Sequence, residues 1–160
     1  MVSQLTVPIG GVTNLGPFIQ ALGAPGLGLS LCGVCDAAEE GYARRALERA
    51  GLGATRTRAG LEALGFFVCD ADLEDELIRA VGTAGVEAVL EAQDELGSFR
   101  RFQEQPAQRG RALNAQLHRF MGTRARRKVR YGALLTEAVD LAGVPRALEQ
   151  VLAHARRRHG

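Results

Sequence analysis

Carboxylates crowd two places in this sequence. The stretch CDADLEDELIRA, residues 69–80, holds five acids in seven positions: Asp70, Asp72, Glu74, Asp75 and Glu76. LSLCGVCDAAEE, residues 29–40, ends an apolar run in Asp36, Glu39 and Glu40. Acids this dense repel one another unless a cation or basic groups offset them. A hard cation such as Mg2+ takes a few carboxylates and completes its shell with water and substrate phosphate. The competing account is a helix N-cap followed by an acidic first turn, which the helix dipole favours. It covers one or two of the acids in CDADLEDELIRA and leaves the others unexplained.

Cys32 and Cys35 form a CxxC in the same region. A redox CxxC places its first thiol at a helix N-terminus, where the dipole lowers the thiol pKa. Here the pair lies in a small-apolar run that reads as a strand, and residues an odd number apart on a strand face opposite sides. Zinc would need a second ligand pair, which His118, His154 and His159 do not supply. Buried structural cysteines are the expectation, with Cys69 read the same way. A CxxC redox protein remains the competing account, and it requires a thiol of lowered pKa.

Of 20 basic residues, 19 are arginine and one is lysine, Lys128. A single lysine among arginines points either to a role for its compact, movable charge or to chance. Residues 1–35 carry no charged side chain, residues 36–95 carry 14 acids and 6 bases, and residues 96–160 carry 4 acids and 14 bases. An acidic middle beside a basic end suits a metal site next to an anionic substrate, or two regions that attract each other. The stretch RGRALNAQLHRFMGTRARRKVRY could track a phosphate backbone or form a solvated helical face. Gly10-Gly11-Val12-Thr13-Asn14 reads as a turn whose amides could cradle phosphate, without a Walker A or GxGxxG pattern.

These groups need elements to hold them. Leu5–Ile9 reads as a strand entering the Gly10-Gly11 turn, and Asn14 as the cap of a helix over residues 16–22. A strand buried on both faces is expected over Leu27–Cys35, and a helix over Ala37–Ala50 with Tyr42, Ala46 and Leu47 on its inner stripe. A short helix over Arg58–Leu64, a strand over Gly65–Cys69 and a helix over Leu73–Val81 capped by Asp70 or Asp72 follow. The alternation of strand and helix predicts a parallel sheet with helical crossovers. Acids at the carboxyl ends of such strands stand where ligands bind. Helices are expected from Val86 to Leu96, Ser98 to Gln105, Leu113 to Met121, Arg127 to Leu141 and Pro145 to Arg157. No apolar run approaches the about 20 residues of a membrane span, MVSQLTVPIGG lacks a basic leader region, and the cysteine count is odd. Together these place the protein in the cytoplasm, away from membranes.

The phrases VPIGGVTNLGPF, GVCDAAEE, RALERAGL, LEALGFFVCDADLEDELIRA, ELGSFRRFQEQPAQRG and RKVRY together resemble the TOPRIM (topoisomerase–primase) domain of OLD-family ATP-dependent endonucleases, in an actinobacterial-type branch. The likeness runs over nearly the whole chain and is most specific around residues 61–80. It implies an α/β fold: a Rossmann-like TOPRIM parallel sheet with crossover helices over residues 1–83, then a helical basic C-terminal region over residues 84–160 packed on it. It further implies nucleic-acid phosphodiester hydrolysis dependent on Mg2+ or Mn2+. Asp36 matches the first Asp of the family's second acidic motif. The second Asp of that motif falls on Ala38, with Glu39 or Glu40 as substitutes one turn later. Asp72 and Glu74 match the third motif, with Asp75 and Glu76 beside it, and Lys128 falls where the family has a C-terminal lysine. The resemblance thus assigns Asp36, Glu74 and Lys128 as catalytic residues and Asp36, Asp72, Glu74, Glu39 and Glu76 as metal ligands.

Two departures accompany the likeness. The family's first strand ends in a Glu-Gly pair, but no acid precedes Asp36 here, so the domain is expected to be N-terminally truncated, partial or inactive. No Walker A sequence occurs, so an ATPase domain is expected on another chain or lost by truncation. The implied partner is nucleic acid, DNA in particular, and a homo-oligomer is one of the assemblies left open. The alternative is a non-catalytic nucleotide- or nucleic-acid-binding module acting with a partner ATPase.

Overall fold

The computed structural model describes Val7, residues 9–53 and residues 56–157. The expected first strand, Leu5–Ile9, falls mostly outside the described residues. The chain divides into two units, Met1–Asp72 with Arg146–Gly160 and Leu73–Pro145. The first contains the described strands and is called the sheet unit. The second is helical.

In the sheet unit, Phe66–Val68 forms β2, with every residue buried. Two phenylalanines and a valine suit a strand sealed on both faces. Gly33–Cys35 forms β1 and pairs with β2 in parallel, Gly33 opposite Phe66, Val34 opposite Phe67 and Cys35 opposite Val68. Among the described residues the sheet is two-stranded, so the fold is α/β with a small parallel sheet in a largely helical chain.

The strand expected over residues 27–35 is therefore much shorter, and β1 is half-buried rather than sealed. The reason lies in the preceding helix, α1 (Leu15–Leu22). Its last carbonyls take the amides of the next segment, Leu27 N–H bonding Ala21 O at 3.1 Å and Leu29 N–H bonding Leu22 O at 2.8 Å. Those donors are lost to a ladder, and Leu27 and Leu29 stay 71% and 52% exposed. Asn14 does not cap α1 either: its Nδ2 donates back to Ile9 O at 2.7 Å.

The crossover from β1 to β2 runs through α2 (Glu40–Arg49) and α3 (Arg58–Ala63). α2 buries Ala43, Ala46 and Leu47, which join Leu15, Ile19, Leu61, Phe66 and Val68 in one core. Tyr42, expected on that stripe, is half-buried at its edge. α9 (Arg146–Arg157) packs on β2 and β1 and belongs to this unit. It is tied to α3 by a two-pronged pair, Arg146 Nη1 and Nη2 on Glu62 Oε1 and Oε2 at 2.9 and 3.0 Å. His154 meets the Phe67 ring edge-on, centroids 6.1 Å apart. Gly65 makes that approach: its φ is +90°, and a Cβ there would lie 2.7 Å from His154 Nε2.

The helical unit comprises α4 (Leu73–Val81), α5 (Thr83–Ala92), α6 (Leu96–Gln103), α7 (Leu113–Gly122) and α8 (Ala125–Ala138). α4 buries Leu77 and Ile78 and packs against α5, α7 and α8. Residue 83, the expected end of the α/β core, lies inside this unit. No helix among the described residues is long and apolar enough to cross a membrane.

Candidate functional site

β1 ends at Cys35, and the parallel pairing continues past both strands. Cys69 N–H donates to Cys35 O at 3.0 Å, and Ala37 N–H donates to Ala71 O at 3.0 Å. The backbone at Asp36 therefore runs beside the loop that carries Asp70 and Asp72. Asp36 has extended backbone angles and opens the 3₁₀ turn Ala37–Glu39 that leads into α2. Asp36 and Glu39 form a capping box there, Glu39 Oε2 accepting from Asp36 N–H at 3.3 Å. A capping acid satisfies amides that the helix cannot, which fixes where Asp36 stands.

The next acid, Glu40, is spent differently. Its Oε1 accepts from Arg44 one turn along α2, and its Oε2 accepts from Arg58 Nη2 at 2.9 Å and Nε at 3.3 Å. The Arg58 hydrogen bonds hold the Glu40 carboxyl below its usual range, against a smaller opposing effect of burial, with Arg44 adding to them. Arg58 is in turn raised, first by Glu40 and more weakly by Asp70 and Glu62. It is thus the counter-charge of the acidic edge, a role that no motif marks. Its only local mark is its place after Thr57, whose Oγ1 caps α3 by accepting from Gly60 N–H at 3.1 Å.

The thiol at the end of β1 registers the same charge. Burial, then Glu39, Asp36 and Glu40 in turn, push Cys35 up to about 11, with Arg58 opposing. That is the reverse of an activated CxxC thiol. None of the three cysteines is in a disulfide; Cys69 is buried as expected, whereas Cys32 and Cys35 are half-buried because β1 is sealed on neither face.

The remaining assigned residues lie in the helical unit. Glu74, Asp75 and Glu76 fill the first turn of α4, whose bounds match the expected ones. Lys128 on α8 pairs with Glu74, Nζ to Oε1 at 3.4 Å, so two of the residues assigned as catalytic stand together. Asp75 pairs with Arg79 at 2.6 Å. Asp36, Glu39 and Asp72 belong to the sheet unit, and the division between units falls immediately before Leu73. Among the described residues no three His, Cys, Asp or Glu side chains group as a metal-binding set. The donor type at the strand ends still suits Mg2+ or Mn2+, since Mg2+ is commonly held by one or two carboxylates with water and phosphate oxygens. Asp36 and Asp72 are the acids next in sequence to the Ala37–Ala71 backbone bond. Asp36 and Glu39 each give one carboxylate oxygen to the capping box.

No protein-family model, no curated protein and no solved structure matches this chain.

Proposed function

We propose that the chain is a TOPRIM-type domain of the OLD-endonuclease kind, acting in Mg2+- or Mn2+-dependent hydrolysis of a nucleic-acid phosphodiester, DNA in particular. The observation that carries this reading is the Ala37–Ala71 backbone bond, which sets Asp36 beside Asp70–Asp72 at the carboxyl ends of adjoining parallel strands. Asp36 and Asp72 would hold the cation. When bound, it would neutralise phosphate charge and lower the pKa of a bound water. Around it, Arg58 limits the repulsion among the acids. The capping box fixes the Asp36 backbone.

A second reading, a non-catalytic nucleic-acid-binding module working with an ATPase, is favoured by the engagement of Glu39, Glu40 and Glu74 with groups of the chain itself. Supercoiled-plasmid nicking with Mg2+ or Mn2+ separates the two. The first reading expects nicking that the double substitution Asp36→Asn, Asp72→Asn abolishes without changing the melting temperature. Absent nicking, or nicking that survives the double substitution, leaves the second.

A further inference from the structure

The helical unit holds a cleft of about 350 Å3 lined by Ser98, Arg101 and Phe102 from α6, by Phe120 and Thr123 at the end of α7, and by Arg124 at the start of α8. Ser98, Arg101 and Phe102 share one face of α6, because residues three and four apart are neighbours on a helix. Phe102 lies against two other rings, Phe99 at 6.5 Å and Phe120 at 5.4 Å between centroids, so its plane is fixed while the ring stays half-buried.

The charges in the cleft sort into two kinds. Arg127 is committed: it lies over the Phe120 ring at 4.1 Å and binds Glu95 and Thr123 Oγ1 at 3.2 and 2.8 Å. Arg101 and Arg124 are not, since among the described residues neither pairs with an acid. Among the described residues Arg101 makes a side-chain bond only to Ser98 Oγ, at 3.1 Å. Residues 100–130 carry ten basic side chains against one acid, Glu104. Two unpaired guanidiniums at a fixed aromatic ring provide a phosphate clamp and a stacking surface. The volume suits one nucleotide rather than a duplex.

We propose that this cleft binds a nucleoside phosphate, with Arg101 and Arg124 on the phosphate and Phe102 against the base. The unit would thereby hold single-stranded nucleic acid. The inference rests on the reading of the chain as a nucleic-acid-handling protein, but not on hydrolysis, so its test is run in EDTA. The probe is a fluorescein-labelled twelve-nucleotide oligothymidylate, read by anisotropy on the full chain. Replacing Arg101 and Arg124 together with Gln is expected to weaken binding at least tenfold and to lower the salt slope by about 1.4, two phosphates at about 0.7 each. Replacing Arg109 and Arg111 with Gln removes the same charge outside the cleft and is expected to cost less than threefold. Phe102→Leu is expected to cost at least threefold, and the double Lys replacement of Arg101 and Arg124 to recover most of the loss. All four variants are checked by thermal melting. Competition by thymidine 5′-monophosphate as strong as that by unlabelled oligonucleotide would assign the cleft to free nucleotides. Weaker competition, by tenfold or more, would assign it to the strand. Equal losses from both arginine pairs, no loss from Phe102→Leu, or no binding of either probe by the native chain would overturn the proposal. A chain that nicks nothing yet shows the expected pattern would overturn only the hydrolytic reading.

Discussion

In the sheet unit, Glu40 sits between Arg44 and Arg58, whose side chains are 29% and 42% exposed. In the helical unit, Glu95 sits between Arg127 and the fully buried Tyr131, its Oε2 accepting from the Tyr131 hydroxyl at 2.7 Å. Both acids take two partners from elsewhere in the chain, yet their surroundings differ. Water can replace much of what Glu40 gives its arginines, and cannot reach the Tyr131 hydroxyl. The Glu95 set is therefore a structural core of its unit. The Glu40 set balances charge beside the acids at the strand ends. The same contrast separates Arg127 from Arg101 and Arg124: one is built into the unit, the others are left to meet an anion.

Removing the acid is the strongest way to test this contrast. Glu95→Ala leaves a buried hydroxyl and a guanidinium without their acceptor and is expected to cost about 2 kcal/mol. Glu40→Ala should cost about 1 kcal/mol or less, since both its partners are partly solvated. Urea unfolding of the two variants measures both, and equal costs would break the comparison. A second test concerns α9, the closing element of the sheet unit. Gly65→Ala combines a positive φ with a clash on His154 and is expected to cost about 2 kcal/mol. An unchanged melting temperature would show that α9 does not hold that position.

The pH dependence sharpens the contrast further. Glu40 and Glu95 both have carboxyls held below the ordinary 4.5. For Glu95 burial is the largest influence and pushes upward, but the Tyr131 and Arg127 hydrogen bonds and the nearby arginines outweigh it. The stability each contributes is present above the unfolded value and is lost as pH falls through the folded one. Melting temperature should therefore drop below about pH 4.5, and Glu95→Gln should flatten that drop more than Glu40→Gln. Tyr131 acts in the opposite direction. Burial, then Glu95, raise its hydroxyl above the ordinary 10.0, so its contribution is lost as pH climbs beyond that value. The smallest effect belongs to Cys35, whose reaction with a thiol reagent should rise only toward pH 11. Full reactivity at pH 8 would return the CxxC to redox chemistry.

What could be read from residues alone follows a physical pattern. α4 was legible to the residue because its acids sit at the positive end of the helix and Leu77 and Ile78 fall on one face. β2 was legible because Phe66, Phe67 and Val68 are bulky β-formers between Gly65 and the acidic loop. The segment before β1 was not. A run of Gly, Leu and Ser has no period, and hydrogen bonds to α1 decide its path. Nor could periodicity show that α9 returns to the sheet unit, because an apolar stripe does not say what it covers. That Asp36 and Asp72 follow the ends of the two strands was legible from local pattern. Arg58 was missed because its importance comes from Glu40, 18 residues away in sequence.

The account stands or falls on the acids at the two strand ends. Mn2+ titration followed by electron paramagnetic resonance tests them without requiring turnover. The expected result is one Mn2+ bound per chain, displaced by excess Mg2+, and lost in the Asp36→Asn, Asp72→Asn variant while its fold is retained. Mn2+ binding that is unchanged in that variant, or absent from the native chain, would contradict the strand-end site.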